Sequence, residues 1–205
     1  MIEFPDENLY TPVGSTNIAW LWEQMLAGDK ESFGKVYHYT FQKLYRYGCK
    51  MTSEEIVEEV IQELFIKLWH KRERLPQVSA PLAYLFRAFR NQLFNQLSKT
   101  KNNNFLPLDQ VINFSYQISD ESQYAQQREI LQQAINKLSD QQREVIYLLY
   151  FNDLSAAEVA DVLSLKIRTV YNTAQQAVNM LRKHLQKDSF AFHMFPIGFL
   201  LLYFL

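Results

Sequence analysis

The chain has 205 residues, of which 48% are hydrophobic, and this content excludes an intrinsically disordered protein. Only 5 glycines and 6 prolines occur and β-branched runs are few, which favours an all-helical fold. The net charge of −1 argues against a protein that is held on DNA by bulk charge alone. The single cysteine, Cys49, permits no internal disulfide and is consistent with a reducing cytosol, so we expect a cytoplasmic protein.

No stretch of the chain carries the pattern of an active site. The glycines are scattered and form no phosphate-binding loop, and the histidines lie far apart without a Cys/His cluster. We therefore predict that the protein is not an enzyme, and that it has no catalytic residues, no cofactor, no metal site and no small-molecule substrate.

Two helix signals follow a loose arm at residues 1–17. Residues 18–27 predict a short helix that ends at Gly28, and Asp29 is placed to cap the next helix. Residues 52–71 form the clearest amphipathic pattern, with Thr52 and Glu55 as a predicted capping box. Acidic side chains concentrate in its first half and basic ones at its end, which suits the helix dipole. The pattern indicates either an ordinary surface helix or an acidic docking face for a basic protein surface.

A basic and amide-rich helix comes next, after a predicted loop at residues 73–81. The helix is predicted at residues 82–97, and polar side chains lie away from its apolar face: Arg87, Arg90, Asn91, Asn95 and Lys99. Such a surface is compatible with nucleic acid. Residues 98–122 contain an asparagine run and Pro107, so we predict an extended linker between two domains.

The stretch from Leu154 to Lys187 predicts two helices joined by a tight turn. Two helices are predicted before it, one at 123–138 and one that is capped by Ser139 and Gln142. Ser155 and Glu158 form a capping box, and the second helix is predicted to start near Lys166. One face of that helix is apolar, and the opposite face carries Arg168, Asn172, Gln175 or Gln176, Asn179 and Arg182. Arginine pairs with guanine and amide side chains pair with adenine. The pattern is that of a helix-turn-helix whose second helix enters the major groove, or of an ordinary helical hairpin with a solvated face.

The predicted fold is all-α, with two small helical domains joined by a flexible linker, the C-terminal one containing the helix-turn-helix. The predicted boundaries are an arm at 1–17, a first domain at 18–97, a linker at 98–122, a second domain at 123–187 and an apolar tail at 188–205. Pro196 and Gly198 interrupt the tail. It folds back onto the protein, binds a partner or touches a membrane, and we favour the first two.

The ordered set of helices resembles a known family. Residues 28–47, 54–69 and 83–97 resemble the promoter-melting domain of extracytoplasmic-function (ECF) sigma factors, and residues 134–185 resemble their C-terminal domain. The resemblance spans most of residues 19–187, with a linker between the two parts, and the apolar tail is similar to that of sigma factors of Bacteroidetes type. It implies a subunit that binds core RNA polymerase and directs it to promoter DNA, and that an anti-sigma partner holds inactive.

The resemblance also implies which residues make the contacts. The helix around residues 56–69 docks on the polymerase clamp, through Glu55, Glu58, Glu59, Gln62, Glu63, Lys67 and Trp69. The helix at 82–97 meets the minus-10 element, through Tyr84, Arg87, Arg90, Asn91 and Asn95. The second helix of the helix-turn-helix reads the minus-35 element, through Lys166, Arg168, Thr169, Asn172, Thr173 and Gln176.

The chain departs from the family pattern near the helix-turn-helix. Asn152 and Asp153 stand where glycine is common, Ser164 replaces a usual glycine and Lys166 replaces a usual serine cap. Two other functions fit the residues: a stand-alone helix-turn-helix regulator, whose residues 19–97 dimerise or sense a signal, and a helical adaptor that binds only protein. A net charge near zero, with a basic patch in each half, favours the sigma factor.

Overall fold

A computed structural model describes residues 18–99 and 133–185, and every regular element in these ranges is helical. The helices are α1 (Ile18–Leu26), α2 (Lys30–Gly48), α3 (Glu54–Lys71), α4 (Pro81–Lys99), α5 (Asp140–Phe151), α6 (Ala156–Leu163) and α7 (Ile167–Leu185). A 3₁₀ turn at Arg72–Arg74 continues α3, and residues 133–136 are also helical. The predicted all-α fold is confirmed. The predicted arm and tail lie outside the described residues, and so does the predicted linker apart from residues 98 and 99, which belong to α4.

Side-chain caps set where three of these helices begin. The Asp29 carboxylate accepts hydrogen bonds from the backbone amides of Glu31 and Ser32, at 3.3 and 3.0 Å. Ser139 with Gln142, and Ser155 with Glu158, form reciprocal capping boxes. These caps confirm the prediction, because each satisfies amides that have no partner within the helix.

The predicted Thr52–Glu55 capping box is wrong. The residue that caps α3 is Ser53, and its side chain makes no capping hydrogen bond to the helix backbone. Thr52 is buried, so it belongs to the turn that leads into the helix. The following helix, α4, begins at Pro81, one residue before the predicted start, and proline is favoured in the first turn of a helix.

Two residues of the helix-turn-helix adopt a left-handed backbone conformation. Asp153 has a φ of 55° before α6, and Ser164 has a φ of 54° between α6 and α7. These are positions where the family commonly has glycine, whose lack of a Cβ makes such a conformation easy. The departures therefore leave the turn geometry intact, although serine at position 164 adopts it at some cost.

The core of the N-terminal half is built from α1 to α4. Trp22, Leu44, Val57 and Phe89 are fully buried, and the indole Nε1 of Trp22 donates to the Pro76 carbonyl at 3.4 Å. The apolar cluster continues without a break into α5, α6 and α7 of the C-terminal half. Within the described ranges, no helix is both long enough and apolar enough to cross a bilayer.

Candidate nucleic-acid and polymerase interfaces

The outer face of α7 presents polar side chains to solvent. Arg168, Asn172 and Gln176 are exposed on this helix, and Lys166 is exposed just before it. The opposite face buries Val170, Ala174 and Ala177 against the core, with 3- and 4-residue spacing as the sequence predicts. The helix is thus held by one face while donors on the other face point outward, which is the arrangement that a major-groove reader requires.

Two of the residues proposed for this face are not fully on it. Thr173 is only 8% exposed, because it lies between Val170 and Ala177 on the packed side, and Thr169 is half-buried. Conversely, Ile167 and Tyr171 are 49% and 53% exposed, and neither was among the predicted contacts. They sit four residues apart along one flank of the outer face, a spacing that was readable from the sequence.

The second predicted DNA surface lies on α4. Arg87, Asn91 and Asn95 are exposed, whereas Tyr84 and Arg90 are half-buried. The Tyr84 ring packs edge-on against Trp22, with ring centroids 5.3 Å apart, and burial raises the pKa of its hydroxyl. The amides therefore face solvent freely, and the aromatic ring is anchored in the N-terminal core.

The two arginines of α4 are ion-paired with carboxylates of the C-terminal half. Arg87 donates from Nη1 to Oδ1 of Asp161 at 2.6 Å, and Arg90 donates from Nε and Nη2 to the two oxygens of Glu144, at 2.9 and 3.3 Å. The exposed Arg87–Asp161 pair is worth at most about 1 kcal/mol. The Arg90–Glu144 pair is bidentate and largely shielded from water, and each hydrogen bond to a charged group contributes about 1.5–3 kcal/mol. Neither ion pair was predicted from the sequence.

A buried tyrosine completes the site around Glu144. The Tyr47 hydroxyl donates to Glu144 Oε1 at 2.5 Å, and its ring stacks on Tyr147 with centroids 6.1 Å apart. Burial, then the Glu144 charge and hydrogen bond, raise the pKa of Tyr47 well above its ordinary value. Tyr47 therefore acts only as a hydrogen-bond donor at this contact.

The outer face of α3 is acidic and exposed, as the sequence predicts. Its exposed polar residues include Glu55, Glu58, Glu59, Gln62, Glu63 and Lys67. Gln92 and Gln96 of α4 donate to Glu63 and Glu59, at 2.6 and 2.8 Å, so part of the face is held in place by the neighbouring helix. Ile66 is 47% exposed within this face and was not predicted as part of it. It lies three residues after Glu63, a spacing that places both side chains on the same face of a helix.

The last predicted polymerase contact, Trp69, is half-buried at the end of α3. Its ring packs against Phe33, with centroids 4.9 Å apart, and the Arg72 guanidinium lies 4.6 Å from its centre on the outside. The structure therefore brings all seven predicted polymerase contacts onto one helix, six of them exposed and Trp69 at the edge of the core.

Comparison with known proteins gives the family. A model of Sigma-70 region 2 matches residues 36–103, and a model of Sigma-70 region 4 matches residues 128–181. The ECF RNA polymerase sigma factor SigL of Mycobacterium tuberculosis is 29% identical over 147 residues, which are 70% of this chain and 83% of SigL. The chain belongs to the ECF sigma factor family. It therefore directs transcription initiation.

Further similar proteins place the sigma-factor fold over most of the chain. SigW of Bacillus subtilis, also an ECF sigma factor, is 23% identical over 80% of this chain and 94% of its own length. Among solved structures, CnrH with the cytosolic domain of CnrY has a TM-score of 0.56 and 22% identity, over 83% of this chain and 97% of that one. RpoE from Bartonella quintana with the anti-sigma factor NepR has a TM-score of 0.55 and 22% identity, over 77% and 99%. The three surfaces described above, on α3, α4 and α7, lie within the residues that the two family models match.

Proposed function

We propose that this sigma factor uses three separate surfaces during initiation. The acidic face of α3 docks on core RNA polymerase, the polar face of α4 contacts the minus-10 element, and the outer face of α7 reads the minus-35 element. The observation that carries this proposal is the order of surfaces: an exposed acidic helix, a basic amide-rich helix and an exposed recognition helix, within the ranges matched by sigma regions 2 and 4. Each surface has the charge that its partner requires.

An in vitro transcription assay tests this function. We expect purified core polymerase to start transcripts at discrete genomic sites only when the chain is added, and the chain alone to bind the same promoters weakly. A stand-alone regulator would instead give a tight palindromic footprint without polymerase. Failure of core polymerase to gain promoter-specific starts would contradict the proposal.

We expect the exposed apolar pair on α7 to read thymine. Ile167 and Tyr171 flank Arg168 and Asn172, and apolar side chains distinguish thymine by contact with its C5-methyl group. Replacing a contacted thymine of the minus-35 element with deoxyuridine removes one methyl group and should weaken holoenzyme binding about fourfold. The I167A/Y171A variant should bind the thymine and deoxyuridine promoters equally. A wild-type holoenzyme that is indifferent to every such replacement would exclude this contact.

An anti-sigma partner is a further part of the proposal. RpoE and CnrH, which share this fold, were solved in complexes, RpoE with an anti-sigma factor and CnrH with the cytosolic domain of CnrY. We propose that this chain likewise acts in the cytoplasm and is held inactive by an anti-sigma factor, as its resemblance to ECF sigma factors implies. The apolar composition of residues 189–205 supports assignment to the Bacteroidetes-type sigma factors and a contact of the tail with such a partner.

A further inference from the structure

Both arginines that the proposed function places on the minus-10 element are already occupied within the chain. Arg87 is bonded to Asp161 of α6, and Arg90 is bonded twice to Glu144 of α5. The Glu144 side chain is only 12% exposed and that of Arg90 only 23%, so this contact is largely closed to water and to other ligands. Asn91 and Asn95, on the same helix, remain exposed.

We propose that the C-terminal half competes with promoter DNA for α4, with the carboxylates of Glu144 and Asp161 in the place of two DNA phosphates. The planar guanidinium group binds carboxylates and phosphates through the same pair of parallel N–H donors. Arg90 already directs both Nε and Nη2 to Glu144, so these donors cannot also bind a phosphate. The inference rests on the proposed role of α4, and it adds that the unbound protein is self-inhibited.

Glu144 is held in place by several contacts and is not part of a simple exposed ion pair. Tyr47 is buried and donates its hydroxyl to the same oxygen that Arg90 Nε contacts. The Tyr47 ring stacks on Tyr147, and Lys50 lies 4.9 Å from the centre of that second ring. Apolar stacking, a charge-assisted hydrogen bond and an ion pair thus act at one point between the two halves.

Opening this contact is a prerequisite for α4 to bind DNA. The apolar cluster runs across the same boundary, so separating the halves exposes apolar surface as well as breaking ion pairs. Promoter DNA alone replaces the two carboxylates but does not cover that apolar surface. A protein partner that binds the separated halves, such as core polymerase, supplies the missing contact, and the free protein consequently binds DNA weakly.

Neutral isosteres of the two carboxylates test the proposal in the full-length protein. The E144Q/D161N variant keeps the side-chain shapes and removes both charges, so we expect the halves to separate more often. Its affinity for a labelled single strand carrying the minus-10 sequence of a mapped promoter should rise about tenfold without polymerase. The distance between spin labels at positions 30 and 183, in a Cys49→Ser background, should shift to longer values.

The D153N variant is the matched control, because it removes a carboxylate from the same half at an exposed position where asparagine tolerates the positive φ. D161N alone, at the more exposed pair, is expected to show a smaller rise and remains informative if E144Q fails to fold. Equal DNA affinity for wild type and E144Q/D161N, or separated halves without tighter binding, would overturn the competition. If the wild-type protein gave no promoter-specific initiation with core polymerase, the result would instead refute the proposed role of α4 and α7.

Discussion

Replacing Arg168 and Asn172 together with alanine is expected to lower promoter-specific initiation about 100-fold at promoters that depend on a minus-35 element. Both side chains are exposed on the outer face of α7 and neither contributes to the core. A well-placed contact between such a side chain and a base contributes about 1–3 kcal/mol of discrimination, and two contacts multiply. The measurement is run-off transcription with reconstituted holoenzyme, with binding of the variant to core polymerase as a check.

Lys183→Ala is the matched control for this double variant. Lys183 is exposed on the same helix and loses one positive charge, but it lies 15 residues beyond Arg168, about 22 Å along the helix axis. We expect its initiation to change less than about threefold, as for a distant phosphate contact. The free energy of unfolding of both variants should lie within about 0.5 kcal/mol of the wild-type value, because substitutions of exposed residues rarely change it by more. Unchanged initiation by R168A/N172A would favour a helical adaptor that binds only protein.

Salt dependence separates the two kinds of contact that Arg168 can make. If the guanidinium group neutralises a phosphate, R168A should reduce the slope of log affinity against log salt by about one. If it binds a guanine edge, the slope stays nearly the same and discrimination at one base pair relaxes. Asn172 carries no charge, so N172A should affect only discrimination. The two single variants thereby assign each side chain to the backbone or to a base.

Local signals predicted the helices and their caps well, because a cap depends on residues three positions apart. Ser139 with Gln142 and Ser155 with Glu158 are found as predicted. The prediction failed at α3, where threonine and serine are adjacent and offer two overlapping starts. The structure begins the helix after Ser53, since Thr52 is buried in the preceding turn. Periodicity likewise described the faces of α3 and α7 correctly, whereas Thr173, which was expected to contact DNA only from the family resemblance, lies on the packed side of α7.

The pairing of α4 with the C-terminal half could not be predicted from one sequence. Arg87 and Asp161 are 74 residues apart, and Arg90 and Glu144 are 54 apart. Each of these residues reads by itself as a member of a solvated face, because helical periodicity reports only which residues share a face. Which faces meet is decided by the apolar surface between the halves and by charge complementarity across it. The sequence therefore predicted the candidate DNA surface on α4 but not the two carboxylates, of Asp161 and Glu144, that bind its arginines.

Replacing Gly48 with alanine is expected to lower the free energy of unfolding by about 2–3 kcal/mol, because the added methyl group overpacks a filled core. Gly48 is the last residue of α2, and an added Cβ would lie 2.7 Å from Phe89 Cζ and 2.8 and 2.9 Å from the two methyl groups of Val57. Both neighbours are fully buried, so neither side chain has free space to move into. Urea unfolding of G48A, monitored by circular dichroism, measures the effect. Because Phe89 belongs to α4, we also expect a weaker interaction of this variant with minus-10 DNA.

Gly34 provides an internal control, since it lies in the same helix and an added Cβ would meet nothing within 4 Å. G34A should stabilise the protein by about 0.5–1 kcal/mol, because alanine is the better helix former. Shortening the clashing ring in the G48A/F89L double variant should recover part of the lost stability, whereas F89L alone should destabilise by leaving a cavity. Stability changes of opposite sign in G34A and G48A, together with non-additive changes in G48A/F89L, would attribute the effect of G48A to steric contact between α2 and α4. Equal shifts in G34A and G48A would show instead that helix propensity dominates and that the α2–α4 contact has room to relax.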